Sequence, residues 1–415
     1  MNILVVGSGG REHAICWSLK KSPRVGKLYC APGNGGISEI AECVDIGVKD
    51  IDNIVRFAVE NACFVVVAPD DPLAIGMIDH LEAAGVRAFG PSQNAARLES
   101  SKAYAKGIMR KYGIPTADYE VFSDINKARD YIRASKTPIV VKADGLALGK
   151  GVVVAPDTDT ALEALDTIML KKKFGESGNQ VIVEEFMTGP EITLLAFTDG
   201  KTVKPMLSSQ DHKRVYTGNL GPNTGGMGAF CPTPVYTEKV AAECMATIVR
   251  PTITAMNSEG CPFKGVLYFG LMLTSNGLRV VEYNARFGDP EAQPILAMLK
   301  TDLLTIMEAI VDERLHEIDV EWRDGYACCV VMASGGYPDS YRTGYEITGL
   351  DELPDDIMVF HAGTTRKNGG FITSGGRVLG VTATGESLFE ASAAAYKGVA
   401  RIDFERAHYR SDVGR

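Results

Sequence analysis

A cluster of charged and amide side chains ends an apolar strand in the segment V-V-E-Y-N-A-R-F-G-D-P-E, residues 280–291. Glu282 and Asn284 are two residues apart on the predicted strand, so their side chains point to the same face. A carboxylate and an amide oxygen are hard ligands, which suit Mg²⁺ or Mn²⁺ shared with nucleotide phosphates. A structural ion pair between Glu282 and Arg286 is the alternative, but it leaves the other polar residues of the segment unexplained. The pattern therefore favours a metal site.

A glycine-rich segment, G-S-G-G at residues 7–10, follows a predicted strand and opens a predicted helix. Backbone N–H groups in such a turn can hold an anion. A dinucleotide-binding fold would require glycine where Glu12 stands, which argues against a nicotinamide-dependent oxidoreductase. A tight turn without any ligand is the alternative at this position.

A second glycine-rich segment is V-V-K-A-D-G-L-A-L-G-K-G-V-V-V, residues 140–154, with predicted strands on both sides. It is not a Walker A loop, because that motif would place glycine at Asp144 and serine or threonine at Gly151. Three glycines together with Lys142 and Lys150 suit a mobile cover over phosphates. A solvated, flexible hairpin fits the same residues, so both interpretations stand.

Acidic residues end another apolar strand in V-I-V-E-E-F-M-T-G-P-E, residues 181–191. The backbone at this strand end could read an adenine edge, and Glu191 could bind ribose hydroxyls. A plain strand end is the alternative.

The segment 209–228 is long, polar and rich in glycine. Segments of this length inside a compact domain are usually functional or disordered. Because it mixes the charges of Asp211 and Lys213, an ordered ligand-binding loop is favoured over a solvated one.

The composition is that of a globular protein with several domains. The chain has 415 residues, of which 45% are apolar and 23% charged, and its net charge is −9. A chain of this length is expected to form two to four domains. The acidic balance argues against nucleic-acid binding. No run approaches the roughly 20 apolar residues of a membrane span, and the N-terminal residues predict a strand rather than a signal peptide.

The cysteines and histidines exclude two further classes of site. Nine cysteines lie mostly in apolar surroundings and form no C-x-x-C pair, which indicates buried thiols in a reducing, cytoplasmic compartment. The six histidines share no ligand spacing with the cysteines, so a zinc site is not expected.

The elements that must position these residues follow from the apolar pattern. Strands and helices alternate over the first hundred residues, which predicts a parallel sheet with helices on both faces. One long helix is predicted over 93–112 and another over 290–311. Strands 267–274 and 278–284 are predicted to form a hairpin, because Asn-Gly lies between two apolar runs. Short strands dominate the chain after residue 326.

In their order along the chain and in their residues, the motifs resemble those of the ATP-grasp ligases. Among these ligases they resemble the family that joins glycine to 5-phosphoribosylamine. The resemblance covers essentially the whole chain. It rests on the stretches G-S-G-G-R-E-H-A (7–14), K-A-D-G-L-A-L-G-K-G-V (142–152), Q-D-H-K-R-V (210–215), G-P-N-T-G-G-M-G (221–228) and E-Y-N-A-R-F-G-D-P-E (282–291). The last two are long enough to be specific for this family.

The resemblance implies a fold of α/β and α+β domains built around an ATP-grasp unit. An N-terminal Rossmann-like domain is expected at 1–100 and an ATP-grasp catalytic part at 101–119 and 191–325. The ATP-grasp lid is expected at 120–190, and a strand-rich C-terminal domain at 326–415.

The implied reaction uses the small molecules ATP, glycine and 5-phosphoribosylamine, with Mg²⁺ or Mn²⁺ as cofactor. The family phosphorylates the glycine carboxylate, and the amine then displaces phosphate from the glycyl phosphate. The products are glycinamide ribonucleotide, ADP and phosphate, in de novo purine biosynthesis. Such chemistry needs positioning and charge neutralisation rather than a protein nucleophile. A monomer or weak dimer is expected.

The resemblance also implies roles for single residues, with Glu282 and Asn284 as metal ligands. Lysines would meet the ATP phosphates, the glycine-rich loop would cover them, backbone groups would bind adenine, and an acid would bind the ribose. The residues implied for ATP are Lys102, Lys142, Gly145, Gly149, Lys150, Gly151, Glu184, Phe186 and Glu191.

The glycine site is expected next to the metal. Arg286 is favoured for the glycine carboxylate and then the acyl phosphate, because a planar guanidinium fork suits both. Asp289 and Asp211 are candidates for the glycine ammonium group, and Lys213 belongs to the same catalytic set.

Phosphoribosylamine is expected to place its phosphate between the N-terminal glycine loop and Arg377, which lies on a predicted strand. The related ligases bind the ribose hydroxyls with a Gly-Pro-Glu motif, where this chain has Ala-Pro-Asp ending at Asp70. An aspartate reaches one methylene less, so a bridging water becomes an option. The residues implied for this substrate are Gly9, Gly10, Arg11, Asp70, Glu291 and Arg377.

Three alternatives stay open from the sequence. Another ATP-grasp carboxylate–amine ligase would keep the metal site but take a different acceptor. A nicotinamide oxidoreductase would need glycine at Glu12. A nucleotide-binding regulator without catalysis would not need Arg286, Asp289 and Glu291 beside the metal.

Overall fold

The N-terminal domain is an open sheet of five parallel strands in the computed structural model, which describes residues 1–146 and 151–415. The apolar run Asn2–Gly7 forms the central strand, and its alternate side chains pack into two different cores. Helices therefore cover both faces, as the alternating pattern predicts. In spatial order the strands are Glu42–Cys43, Leu28–Pro32, Asn2–Gly7, Cys63–Val67 and Ala88–Phe89. The α-helices are Gly10–Lys20, Ile51–Glu60, Asp70–Ala74 and Met77–Ala83.

The segment 93–112 is two helices rather than the predicted one, Gln93–Ser100 and Lys102–Tyr112. Ser101 is extended between them, with φ −140° and ψ 107°, and its side chain caps the second helix. The carboxylate of Asp144 accepts hydrogen bonds from the same first turn. The single-helix prediction was wrong because a capping partner far along the chain stabilises the break.

A small antiparallel sheet of four strands comes next. Its spatial order is Tyr119–Phe122, Val181–Glu185, Ile139–Ala143 and Val152–Ala155. The helices Ile125–Ala134 and Thr158–Leu165 pack against it, and the second continues as a π-helical turn, Asp166–Leu170. The last two strands flank the second glycine-rich segment and pair with each other. The predictions for Gly149 and Lys150 fall outside the described residues.

The central sheet is antiparallel and carries the predicted metal segment. Its order is Val203–Pro205, Glu191–Asp199, Lys264–Thr274 and Gly277–Asn284. The last two strands form the predicted hairpin, because Thr274 pairs with Gly277 across the turn. The surrounding helices are Glu238–Cys244, Arg250–Ser258, Ala292–Met298 and Leu303–Val311, with a π-helical turn at Met245–Val249.

The helix predicted over 290–311 is likewise divided. Leu299 is extended, and the backbone N–H of Lys300 donates to Glu321 instead of to a helical carbonyl. Asp302 then caps the second helix by accepting from the N–H of Thr305. An apolar run alone cannot reveal this break, because both halves are buried.

The C-terminal sheet contains strands from two distant parts of the chain. Its order is Gln210–Asp211, Gly228–Cys231, Tyr326–Ser334, Arg377–Gly385 and Met358–His361, with Ala407–His408 pairing alongside the third. The helix Leu388–Val399 packs on it, and Glu346–Ile347, Gly370–Thr373 and Thr364–Lys367 form a small separate sheet. Short 3-10 helices lie at Ile37–Glu39, Gly175–Gly178, Leu315–Glu317 and Leu350–Glu352.

The polar segment 209–228 is therefore ordered, and both of its ends belong to the C-terminal sheet. Between those ends it forms a short hairpin of Arg214–Tyr216 and Leu220–Asn223. In the part of the chain that the structure describes, no helix has both the length and the apolar character needed to cross a membrane.

Candidate active site

A cavity of about 690 Å³ opens where the sheets described above meet. Most residues predicted to act on substrates line it. These are Arg11, Asp70, Lys102, Lys142, Gly145, Gly151, Glu184, Phe186, Glu191, Asp211, Lys213, Glu282, Asn284, Arg286, Asp289, Glu291 and Arg377. The sequence therefore identified residues from several distant segments that the fold brings together.

Glu282 and Asn284 lie at the end of strand Gly277–Asn284 and line the same cavity. The opposite strand has Gly270 beside Glu282, where a Cβ atom would lie 3.0 Å from the Glu282 Cγ atom. The missing side chain leaves room for the carboxylate. Among residues 1–146 and 151–415 no group of three acidic, histidine or cysteine side chains gathers into a metal site. This oxygen pair fits an ion that takes its remaining ligands from phosphates and water, as Mg²⁺ commonly does.

Three buried ionic groups form one side of the cavity. The Lys142 ammonium lies 2.8 Å from Glu184 Oε2, and the Lys106 ammonium lies 3.2 Å from Glu184 Oε1. Burial opposes ionisation of Glu184, but Lys142 and Lys106 hold its pKa below the usual value. Burial lowers the pKa of Lys106 to about 8. The Glu184 carboxylate therefore pairs with two lysine side chains in a buried part of the site.

Glu184 contributes a carboxylate that its sequence-based interpretation did not include. Its backbone lies inside the small sheet, opposite Tyr119 and Val140 on the two neighbouring strands. The carboxylate, rather than the backbone alone, therefore matters to the site. Sequence reasoning also missed Lys106, whose signal was a lysine on the same helix as Lys102 and one turn further on.

The end of the cavity near the glycine-rich loop combines one cation with apolar walls. The Lys102 ammonium donates to the Gly145 carbonyl at 2.7 Å. Burial lowers the pKa of Lys102, and the Glu282 carboxylate opposes that shift. Phe186 is 40% exposed, which is unusual for a large aromatic ring beside a cavity. The apolar residues that line the cavity include Leu146, Val152, Val154, Met187 and Met272.

Two acidic residues of the cavity lie close to Lys213. Its ammonium lies 3.5 Å from both Asp211 Oδ2 and Glu191 Oε2. Burial raises the pKa of Asp211 to about 7, although Lys213 opposes the shift. The Asp211 Oδ1 atom is buried without a hydrogen-bond partner among the described residues. Glu291 is 2% exposed and accepts a hydrogen bond from Thr193 Oγ1 at 3.3 Å.

Arg286 is held by a residue that the sequence did not identify. Its Nη2 atom lies 2.8 Å from Glu99 Oε1, and Glu99 Oε2 accepts the N–H of Ala285 at 2.7 Å. Burial raises the pKa of Glu99 to about 7, with Arg286 opposing. The Arg286 Nε atom is buried and has no partner among the described residues. Glu99 is buried on its helix together with Ala95, Ala96 and Leu98, so its only sequence signal was a charge on a buried face.

Arg377 and Asp289 form an ion pair on the wall next to the C-terminal sheet. Arg377 Nη2 donates to Asp289 Oδ2 at 2.9 Å, and Nη1 donates to the carbonyls of Gly225 and Asp289. Gln293 donates to Asp289 Oδ1 at 2.8 Å. Arg377 is thus part of an internal network and not the surface residue that a lone arginine on a strand suggests.

Gly9 and Gly10 lie behind the cavity wall rather than on it. The N–H of Gly9 donates to Glu12 Oε2 at 2.6 Å, so the chain's own carboxylate occupies this turn. Arg11 is held against the same carboxylate by its Nε atom, at 2.7 Å. A Cβ atom at Gly10 would lie 2.7 Å from Gln293 Nε2. The two glycines therefore allow close packing behind Asp289.

Family models for a single enzyme match almost the whole chain. Residues 1–99 match the N domain of phosphoribosylglycinamide synthetase, residues 100–292 its ATP-grasp (A) domain and residues 327–415 its C domain. The phosphoribosylamine–glycine ligase of Halalkalibacterium halodurans is 47% identical over 100% of this chain and 96% of its own length. The ligase of the same name from Caldanaerobacter subterraneus is 48% identical, covering 100% of this chain and 99% of its own.

Solved structures show the same likeness. The crystal structure of phosphoribosylamine–glycine ligase from Thermotoga maritima has a TM-score of 0.85 and 33% identity, covering 99% of this chain and 100% of that one. The biotin carboxylase domain of 2-oxoglutarate carboxylase from Hydrogenobacter thermophilus has a TM-score of 0.78 at 14% identity, covering 98% and 91%. The second likeness is one of fold.

Proposed function

The chain belongs to the phosphoribosylglycinamide synthetase family, and on that premise we propose how its cavity performs the ligase reaction. The protein has the ATP-grasp fold and is a carbon–nitrogen ligase. It joins glycine to 5-phosphoribosylamine through glycyl phosphate and releases glycinamide ribonucleotide, ADP and phosphate, in de novo purine biosynthesis. The three alternatives left open by the sequence are thereby set aside.

At the nucleotide end, Lys102 and Lys142 bind the phosphates of ATP, and Glu191 binds its ribose. The support is that the Glu184 carboxylate pairs with Lys142 and with Lys106, and so holds Lys142 at the cavity wall. Gly145 and Gly151, the described ends of the glycine-rich loop, line the cavity beside the phosphates. Glu184 and Phe186 border the adenine site. The exposed ring of Phe186 and the apolar residues that line the cavity suit a flat base.

Glu282 and Asn284 would hold Mg²⁺ or Mn²⁺ and bring its charge to the phosphates of ATP. A bound divalent ion would neutralise phosphate charge that the lysines leave uncompensated. The support is the hard oxygen pair and the room that Gly270 leaves for the carboxylate.

Arg286 binds the glycine carboxylate and then the acyl phosphate, because Glu99 fixes its guanidinium at the cavity wall. For the glycine ammonium group, the geometry favours Asp211 over Asp289. Asp289 already accepts from Arg377 and from a neighbouring glutamine, whereas Asp211 Oδ1 lacks a partner among the described residues. Lys213 lies 3.5 Å from both Asp211 and Glu191 and opposes the rise that burial causes in the pKa of Asp211.

Phosphoribosylamine lies toward the N- and C-terminal domains. Arg377 and Arg11 bind its phosphate, and Asp70 binds its ribose hydroxyls. Gly9 and Gly10 keep that wall thin, and Glu291 borders the reacting groups. The amine attacks the carbonyl carbon of glycyl phosphate, so that a C–N bond forms and the C–O bond to phosphate breaks.

Each domain contributes one substrate surface. We assign residues 1–100 to the N-terminal domain, 101–119 and 191–325 to the catalytic part, 120–190 to the lid and 326–415 to the C-terminal domain. The strands of the larger sheets fall in these ranges to within one residue, except that Gln210–Asp211 and Gly228–Cys231 extend the C-terminal sheet.

The protein works on small molecules, without nucleic acid or membrane, as a monomer or weak dimer in the cytoplasm. All nine cysteines are free, and eight of them are buried. Free buried thiols suit a reducing compartment.

The observation that carries this assignment is one cavity that unites the metal pair with cations from the N-terminal, central and C-terminal parts of the chain. The test is ADP release with glycine and phosphoribosylamine supplied separately and together, with and without Mg²⁺ or Mn²⁺. We expect full release only with both substrates and a metal. Release that needed neither acceptor nor metal would contradict the assignment.

A further inference from the structure

The C-terminal tail, residues 407–413, packs along the hairpin of residues 214–223. His408 Nε2 donates to the Val215 carbonyl at 2.8 Å, and the Ser411 N–H donates to Thr217 Oγ1 at 3.1 Å. These contacts join parts of the chain that are almost 200 residues apart. The hairpin therefore has a fixed neighbour along its length.

Arg410 and Asp412 form the centre of this contact. Arg410 is fully buried, and its Nε and Nη2 atoms each donate to one Asp412 oxygen at 2.7 Å. Its Nη1 atom donates to the Arg214 carbonyl at 3.1 Å, while Asp412 Oδ2 accepts the N–H of Gly218 at 2.9 Å. Burial opposes ionisation of Asp412, but Arg410 and that backbone N–H lower its pKa to about 2. A bidentate, charge-assisted pair of this kind has little geometric freedom.

The tail is itself anchored on the C-terminal domain. The Tyr396 hydroxyl donates to the Arg410 carbonyl at 2.7 Å and accepts the Val413 N–H at 3.0 Å. Ser392 Oγ donates to the Val413 carbonyl at 2.8 Å. Both anchoring side chains come from helix Leu388–Val399, so the tail transmits the position of that helix to the hairpin.

The two ends of the hairpin lead directly into the cavity. Lys213 precedes its first strand and Thr224 follows its second, and both line the cavity, as does Gly225. The Lys213 carbonyl accepts from the Thr224 N–H and from its hydroxyl, each at 2.8 Å. A shift of the hairpin would therefore move Lys213 relative to Asp211, which lies on the C-terminal sheet.

We propose that Arg410 and Asp412 are positioning residues for the glycine site, since they hold the hairpin that places Lys213 and Thr224 in the cavity. The proposal rests on the function assigned above to Asp211 and Lys213. The lysines assigned to ATP lie on other elements, helix Lys102–Tyr112 and strand Ile139–Ala143. Loosening the hairpin should therefore raise the KM for glycine and leave the KM for ATP unchanged.

The test compares Asp412→Asn with Thr217→Ala, which alters the hairpin side of the contact at an exposed residue. The control is Asp403→Asn, the same chemical change at an exposed residue shortly before the tail, whose backbone rather than its carboxylate pairs with Thr348. We expect roughly a tenfold rise in the KM for glycine in Asp412→Asn, because small misplacements at a site have large effects. A smaller rise is expected in Thr217→Ala. The KM for ATP should stay unchanged in all three.

Hydrogen exchange provides a second measurement, because it distinguishes local loosening of the hairpin from a loss of overall stability. Amides of residues 212–226 should exchange faster in Asp412→Asn and Thr217→Ala while those of the small sheet keep their protection. If Asp412→Asn does not fold, Thr217→Ala decides by itself. Equal rises in the KM for ATP and for glycine, or no change in either, would overturn the proposal.

Lys213→Met separates this proposal from the function on which it rests. An unchanged KM for glycine in Lys213→Met would overturn the role assigned to Lys213. A raised KM in Lys213→Met together with wild-type values in Asp412→Asn and Thr217→Ala would overturn only the positioning role of the tail.

Discussion

At the scale of single residues, three charges of the cavity are each held by a partner from another segment. Arg286 is fixed by Glu99, Lys142 by Glu184, and Arg377 by Asp289. Buried charges are tolerated only when they are paired. The same pairs that make the fold possible therefore aim cations into the cavity.

Arg286→Lys tests the residue assigned to the glycyl group more cleanly than Arg286→Ala. Removing the side chain would leave Glu99 buried and unpaired, which costs about 3–5 kcal/mol of stability. Lysine keeps the charge but loses the planar fork. We expect ADP release to fall by about 100-fold while ATP binding, measured by calorimetry, stays near wild type.

Normal turnover in Arg286→Lys would contradict the assignment of the acyl phosphate to this guanidinium. Arg279→Lys is the control, because Arg279 lies on the same central sheet and pairs with Glu185 at 2.6 Å, away from the glycine end.

Glu282→Gln should raise the Mg²⁺ concentration needed for half-maximal ADP release by at least roughly tenfold, since a neutral amide replaces a charged ligand. A magnesium titration at saturating ATP measures it. Glu163→Gln, an exposed position on the helix of the small sheet, is the control. An unchanged magnesium requirement in Glu282→Gln would remove this residue from the metal site.

At the scale of elements, the sequence patterns predicted which segments are strands or helices, but not the residues at which two long helices are interrupted. The parallel N-terminal sheet and the Asn-Gly hairpin were predicted, because alternation and turn chemistry are local signals. The break at Ser101 depends on Asp144, more than forty residues away. The entry of segment 209–228 into the C-terminal sheet depends on strand Tyr326–Ser334. No local pattern contains such partners.

Asp144→Ala tests whether the helix break serves ATP. The carboxylate accepts from the Ala103 N–H at 3.0 Å and from the Ser101 hydroxyl, so its loss should cost about 1–2 kcal/mol as a lost cap. The Lys102 side chain should also lose its position, which raises the KM for ATP. Thermal unfolding and steady-state kinetics measure the two effects.

Asp157→Ala is the matched control, because Asp157 caps helix Thr158–Leu165 by accepting the Thr160 N–H at 2.8 Å. It should lose similar stability with an unchanged KM for ATP. If both variants shift the KM for ATP equally, the cap near Lys102 has no special part in binding.

At the scale of the whole molecule, a buried histidine pair joins the N-terminal and C-terminal domains. His13 Nδ1 accepts the backbone N–H of His361 at 2.8 Å, and Asn34 bridges the carbonyls of Ser8 and His361. Burial lowers the pKa of His13 to about 3 and that of His361 to about 4. Both rings are therefore neutral in the folded protein.

The sign of the pH effect follows from these lowered values. The unfolded chain takes up protons below about pH 6.5, where the folded imidazoles do not. Stability from His13 is complete above that pH and is lost as the pH falls toward 3, by about 2 kcal/mol at pH 5. Glu99 and Asp211, whose pKa values are raised, act in the opposite direction.

His13→Asn separates the histidine contribution from the others. The asparagine side-chain oxygen can accept the same N–H but does not titrate. We expect the unfolding temperature of the variant to fall less than that of the wild type between pH 7 and pH 5. Parallel curves would show that His13 does not carry this part of the acid sensitivity.

At every scale, prediction from the sequence fails where a role depends on a contact between distant parts of the chain. Glu282 and Asn284 were identified because a strand fixes which way neighbouring side chains point. Glu99, Lys106 and Asp412 were missed because their roles arise from contacts across domains. Residue type and spacing indicate the chemistry, whereas the pairing that orients it appears only in the folded chain.

The most direct test of the whole account uses glycine labelled with ¹⁸O in both carboxylate oxygens. If the enzyme forms glycyl phosphate and the amine then breaks the C–O bond, one labelled oxygen must leave with each phosphate. Mass spectrometry of the released phosphate should therefore show one ¹⁸O atom per molecule. Phosphate without label, formed together with glycinamide ribonucleotide, would contradict the account.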